Sequence, residues 1–477
     1  MKHDDMNIYQ TFLSRKSHKQ STGGFAPLSM PTNLFDFQRA LVEWALLKGR
    51  AAIFADCGMG KSAMLLTWAD NVVQNTHGRV LVLTPLAVGH QLVKEGEKFG
   101  IACERSRNGV LRGPIIVTNY EQLHRFQPSD FVGVVCDESS ILKHFKGATQ
   151  KAVTHFMAKI PYRLLCTATA APNDYTELGT SSEALGLLGY SDMLTRFFRM
   201  HDKKRYRINE IKLGRQANSS HSARLFYRVS QAIGAWHLKG HAEGPFWRWV
   251  CSWARACRTP ADLGFPDDGF LLPPLQEQEH IVEATQAADD MLFILPAFGL
   301  REEREERKRT LRERCELAAR LADHDRPVVI WCHLNLEGDM LAGLISEALQ
   351  VKGDDADEKK EEAYQAFVSG ECRVMITKPK IGAWGLNWQH CAHVITFASH
   401  SYEQYYQSIR RCWRFGQQFP VTVDIVVAKG EQYVRENMSR KATAAATMFA
   451  ALVGYMEEAQ HIERGRATTV IGVPSWL

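Results

Sequence analysis

Short, apolar, β-rich runs recur along this chain in two series, and they leave few folds open. The first series is at residues 51–55, 80–83, 115–117, 132–136 and 164–166, and none of these runs carries a charge. The second is at 328–332, 374–376, 394–397 and 421–427. Each run is followed by a polar turn and an amphipathic stretch. A strand with one wet face alternates apolar and polar residues. These runs do not, so they suit strands buried on both faces of a parallel sheet. Two such series predict an α/β fold with two parallel-sheet lobes.

The boundaries follow from changes in composition. Residues 1–32 are polar with scattered Gly, Ser and Pro, and read as a loosely held N-terminal arm. The first lobe spans 33–190. A basic, Trp-rich helical insertion and linker spans 191–275, with the Pro/Gly-rich stretch 260–274 as the linker. The second lobe spans 276–430, and a C-terminal helical extension 431–477, with a helix over 431–463. The run REEREERKRTLRER at 301–314 has opposite charges at helical spacing and reads as a solvated helix without chemistry.

The strongest local motif is ADCGMGKS at 55–62, which follows the first run and opens a helix predicted over 63–73. This is the context a phosphate-binding loop requires. Gly58 and Gly60 let the backbone turn its N–H groups inward, and the helix N-terminus adds partial positive charge. Met59 sits between them. Lys61 can reach β- and γ-phosphates, and the Ser62 hydroxyl can ligate Mg²⁺. The first Gly of the full pattern is Ala55 here. A second motif, VGVVCDESS at 132–140, puts Asp137 and Glu138 at the C-terminal end of a buried strand, where open α/β sheets bind ligands. Asp137 is placed to hold Mg²⁺, and Glu138 to orient or deprotonate an attacking water.

In order and wording these motifs resemble superfamily 2 helicases, and within them the Swi/Snf-like DNA translocases of prokaryotic or phage type. The resemblance covers most of 33–429. It implies two RecA-like lobes binding ATP and Mg²⁺ between them, and movement on or remodelling of DNA, duplex or branched. LFDFQ, ending at Gln38, resembles the motif that contacts adenine. LTPL at 83–86, with Thr84 and Pro85, and VTNY at 117–120, with Asn119, resemble segments that touch a nucleic-acid backbone. CTATAAPN at 166–173 resembles the motif that couples the two sites, through Thr167 and Thr169. Gly385 and Asn387 fall in a segment similar to motif V. QSIRRCWRFGQ at 407–417 is similar to motif VI. There Gln407 would contact nucleotide, and Arg411 and Arg414 would be the arginine fingers. Ser139 and Ser140 stand where the family usually has Ala-His.

The chain's net charge of +5 hides an asymmetry. Residues 196–258 hold 14 Lys/Arg against 3 Asp/Glu, a net +11, and the remainder is −6. Such an excess points to a polyanion, with Lys203, Lys204 and Arg205 as candidate phosphate contacts and the Trp residues as core. His237, His241, Cys251 and Cys257 have a rough ligand-like spacing, but zinc sites prefer tighter Cys pairs. The eleven Cys lack framework spacing and read as buried, reduced thiols. The charge-free run 442–456 is too short to cross a bilayer, and the first sixteen residues lack a signal-peptide core, so a cytoplasmic protein is expected. An RNA-directed motor, or an ATP switch on nucleic acid that does not travel, uses the same residues and stays open at this stage.

Overall fold

A computed structural model describes residues 23–145, 147–171, 174–200, 236–283, 306–382, 387–399 and 401–468. The first lobe is built on a sheet of β1 (Arg50–Ala55), β2 (Val80–Thr84), β3 (Cys103–Arg105), β4 (Ile115–Asn119), β5 (Gly133–Asp137), β6 (Tyr162–Cys166) and one later strand. After a short antiparallel pair, β7 (Phe198–Met200) with β8 (Trp236–Leu238), the chain returns as β9 (Ala254–Cys257). The order is β3-β4-β2-β5-β6-β1-β9, and every neighbouring pair is parallel. Successive residues of β1 serve two cores. Ala52 and Phe54 enter the one on one face, and Ala51, Ile53 and Ala55 the one on the other. All five are fully buried, which is why the run carries no charge.

The second sheet contains β10 (Leu275–Val282), β11 (Val328–Trp331), β12 (Ala348–Gln350), β13 (Val374–Thr377), β14 (His393–Phe397) and β15 (Val421–Ala428). Its order is β10-β15-β14-β11-β13-β12, again all parallel. The two lobes have the RecA-like α/β architecture that the resemblance implies. Asp424, the charge inside the 421–427 run, accepts from His280 Nε2 at 2.8 Å and from His393 Nε2 at 2.7 Å.

The described helices include α1 (Asp36–Lys48), α2 (Lys61–Thr76), α3 (Glu243–Cys251) and, in the second lobe, α4 (Leu311–Leu321). Next come α5 (Asn335–Leu344), α6 (Tyr402–Ile409) and the long α7 (Gln432–Thr468).

Several sequence expectations are corrected. The 191–275 segment is not a simple insertion, because its β9 completes the first sheet beside β1. The strand was hidden by Arg255, whose buried guanidinium lies 4.6 Å over the Trp44 ring. The expected C-terminal helix is present as α7, but over its described residues it is not an appendage. Met448, Phe449, Leu452 and Met456 of α7 are buried in the first lobe's core with Trp247 and Trp253, and Cys251 Sγ donates to Leu452 O at 3.6 Å. The stretch read as a linker is packed down: Phe270 is buried, and Pro273 O accepts from Trp413 Nε1 at 2.7 Å. The charged run is not a solvated helix over its described part. Arg314 and Glu337 form a fully buried pair at 2.7 Å, and Arg307 reaches buried Glu431 at 2.6 Å. Residues 23–32 of the arm are also tied down, since the Asn71 side chain accepts from Leu28 and Ser29 N–H. Residues 1–22 lie outside the described residues.

Candidate nucleotide site at the lobe interface

The loop after β1 turns through two glycines in the left-handed region, Gly58 at φ 89° and Gly60 at φ 76°. A Cβ at Gly60 would collide with the Gln38 amide, which instead donates to Met59 O at 2.9 Å. Gln38 Oε1 accepts from Phe35 N–H at 3.1 Å, so this side chain ties the loop to the start of α1. Met59 is buried and contributes its carbonyl to that tie. Lys61 opens α2, and its ammonium donates to Ala55 O at 2.9 Å and Asp56 O at 3.2 Å.

Asp137 ends β5. Its Oδ2 accepts from Thr84 Oγ1 at 3.0 Å and its Oδ1 from Glu138 N–H at 3.1 Å. Burial, with the Glu138 carboxylate beside it, pushes the Asp137 carboxyl up to about 6. Glu138 has φ +50°, a strained conformation for a residue with a Cβ, costing about 1–3 kcal/mol. Its carboxylate accepts from the Thr167 hydroxyl at 3.4 Å. Thr167 Oγ1 in turn accepts from Thr169 N–H at 3.1 Å.

The second lobe contributes the turn after α6. Arg411 and Arg414 line one cavity of about 270 Å³ together with Gln38, Gly58, Gly60, Lys61, Ser62, Asp137 and Glu138. Phe35, Phe270 and Phe415 form an aromatic wall there, with ring centroids 4.7–6.2 Å apart. Burial, then Arg411 alongside, lowers the Arg414 guanidinium to about 10, far above neutral pH, so it stays charged. Gln407 stands behind this pair. Its backbone carbonyl accepts from Arg411 Nε at 3.1 Å, while among the described residues its buried side-chain amide finds no hydrogen-bond partner, and Gln407 does not line the cavity.

Ser62 and Asp137 offer a hydroxyl and a carboxylate to the same cavity, a hard-oxygen pair that fits Mg²⁺. Gly385, Lys203, Lys204 and Arg205 lie outside the described residues. Pro85, Asn387 and Glu138 line a second interlobe cavity of about 710 Å³, with Lys94, Lys360 and Lys380. Asn119 caps the turn after β4, its side chain accepting from Gln122 N–H at 3.1 Å. Cys257 lies in β9, and Cys251 on α3 faces α7. Among the described residues no group of three or more His, Cys, Asp or Glu is placed to hold a metal, and no helix is long and apolar enough to cross a membrane.

Sequence reasoning missed three residues of α6 and the turn that follows it. Arg410 donates to Asp56 Oδ2 at 2.6 Å and to Cys57 O at 2.8 Å. Tyr406 donates to Asp56 Oδ1 at 2.6 Å. Glu403 accepts from Thr169 Oγ1 at 3.4 Å and pairs with Lys143. The signal for Arg410 was its adjacency to Arg411 in the motif, and its partner lies 354 residues away.

Residues 314–416 match the family model described as helicase conserved C-terminal domain. The match runs from Arg314 of α4 to Gly416, so it spans most of the second lobe and includes Arg410, Arg411 and Arg414. Over these residues the second lobe is similar to a helicase-type C-terminal domain. No curated protein matches it.

Proposed function

We propose that the chain is a nucleic-acid-dependent ATPase that moves on or remodels DNA, with ATP held in the 270 Å³ cavity. One observation carries this reading: Lys61 and Glu138 of the first lobe and Arg411 and Arg414 of the second line the same cavity.

The loop's backbone N–H groups and the α2 N-terminus receive the phosphates. Lys61 leaves the Ala55 and Asp56 carbonyls to reach them. The aromatic wall gives the base flat apolar faces. Ser62 and Asp137 would hold Mg²⁺, which when bound neutralises charge on the β- and γ-phosphate oxygens. Glu138, held by the Thr167 hydroxyl, orients the attacking water. Arg411 and Arg414 stabilise charge developing on the transferred phosphoryl, with guanidiniums brought across the seam rather than from the loop's own lobe. Thr169, bonded to Glu403 of the other lobe, carries the state of this site to the lobe–lobe geometry. Pro85 and Asn387 face the larger cleft where a nucleic-acid backbone is read, and Lys203, Lys204 and Arg205 add salt-sensitive affinity for it.

ATP turnover with duplex, forked and single-stranded DNA and with RNA tests the reading. Stimulation greatest with duplex or forked DNA is expected. Greatest stimulation with RNA moves the substrate class, and no turnover with any of them removes the enzyme reading. Reversing Lys203, Lys204 and Arg205 to Glu is expected to flatten the salt dependence of DNA binding.

A further inference from the structure

Arg410, Arg411 and Arg414 are close in sequence but line two different cavities against the phosphate-binding loop. Arg411 and Arg414 line the 270 Å³ cavity. Arg410 and Tyr406 line a separate cavity of about 570 Å³ behind the loop, walled also by Trp413 and by Met448 and Phe449 of α7. The second lobe thus meets the loop in both cavities. Slack is small: a Cβ at Gly58 would come within 3.0 Å of Phe415 N and 3.6 Å of Arg414 Cβ.

The grip behind the loop is a built one. The Arg410 and Asp56 side chains are 4% and 10% exposed and 2.6 Å apart. Tyr406 takes the second carboxylate oxygen, and Cys57 O accepts from the same guanidinium. The guanidinium lies 4.9 Å over the Trp413 ring and 5.7 Å over that of Tyr406. Every one of these first-lobe acceptors belongs to Asp56 or Cys57, at the start of the phosphate loop.

We propose that Arg410 is a positioning residue: its pairing with Asp56, braced by Tyr406, latches the cleft closed without nucleotide and so sets where Arg411 and Arg414 stand. This rests on the ATPase reading for its consequences in turnover, but the latch itself is a property of the protein alone. A chain that is closed before ATP arrives has a binding-competent fraction near one. Losing the latch lowers that fraction, and apparent affinity falls in proportion.

The test uses the full chain and three variants, Arg410→Gln, Tyr406→Phe and Arg410→Lys. Small-angle X-ray scattering without nucleotide is expected to show a compact wild type and an expanded Arg410→Gln, which re-compacts when MgATP is added. Tyr406→Phe, which removes one hydrogen bond and keeps the ring, is expected to shift the same way by less. In steady state Arg410→Gln is expected to raise KM for ATP about 10-fold, with kcat falling less than KM rises, and Arg410→Lys to recover part of the KM. Equal compactness of wild type and both the Gln and Phe variants, with unchanged KM, overturns the latch. If Arg410→Gln does not fold, Tyr406→Phe alone decides the matter by the same two readouts. A scattering result as expected, in a protein without ATP turnover, keeps the latch and removes the ATPase reading instead.

Discussion

Thr169 and Glu403 stand 234 residues apart in the chain, and the hydroxyl of the first donates to the carboxylate of the second at 3.4 Å across the lobe interface. Lys143 completes the contact by pairing with the other carboxylate oxygen. Thr169 N–H also bonds Thr167, and Thr167 bonds Glu138. A short chain of hydrogen bonds thus joins the proposed base to the second lobe. Glu403→Ala is expected to leave basal ATP turnover in place and to cut its stimulation by DNA about 10-fold, within the usual range for coupling between sites. Turnover with and without DNA measures this. Undiminished stimulation would mean coupling takes another route.

Arg314→Met leaves Glu337 buried and unpaired, and is expected to cost about 3–5 kcal/mol in urea unfolding. Arg312→Met breaks an exposed pair with Glu316 four residues on, and no measurable loss is expected. Equal behaviour of the two variants would return the charged run to the solvated reading.

Leu452→Ala on α7 is expected to destabilise the first lobe by about 2–5 kcal/mol, because the side chain is buried in that lobe's core. Trp fluorescence reports it, since Trp247 and Trp253 share the core. A change confined to the second lobe would mean α7 does not cross back.

The second lobe is expected to lose stability as pH falls below about 6.5. Burial, and His393 next to it, lower the His324 pKa, and burial lowers His333 to about 4. The His324 hydrogen bonds explain the resistance to protonation. Its Nδ1 accepts from Arg326 N–H at 3.1 Å, so its Nε2 must donate to His393 Nδ1, at 2.7 Å. A second proton would face a donor. A histidine with a lowered folded pKa binds more protons when unfolded, so acid favours unfolding between the folded pKa and the ordinary one. Urea midpoints from pH 5 to 8 measure this, and His324→Asn is expected to shrink the slope. A stability that rises with acid would contradict the account.

The strands legible in sequence and those missed divide along a physical line. Every first-series run became an interior strand. Of the strands that escaped, β3, β9, β10 and β12 are the edges of the two large sheets, and β7 and β8 form the short antiparallel pair. Edge strands need not be apolar on both faces, and Leu275–Val282, LQEQEHIV, is largely exposed. The site divides the same way. Lys61, Glu138, Arg411 and Arg414 lie in dense local patterns. Arg410, Tyr406 and Glu403 owe their positions to partners more than 200 residues away, which no local spacing encodes.

The central claim is that one cleft holds ATP and breaks it, with Glu138 directing the water. Nucleotide binding and DNA-stimulated hydrolysis, compared between wild type and Glu138→Gln, test it most directly. The account predicts unchanged ATP affinity in the variant and turnover reduced by about 10³-fold or more, within the range for loss of a positioned base. A wild type that binds no ATP, or a Glu138→Gln variant with full turnover, would contradict it.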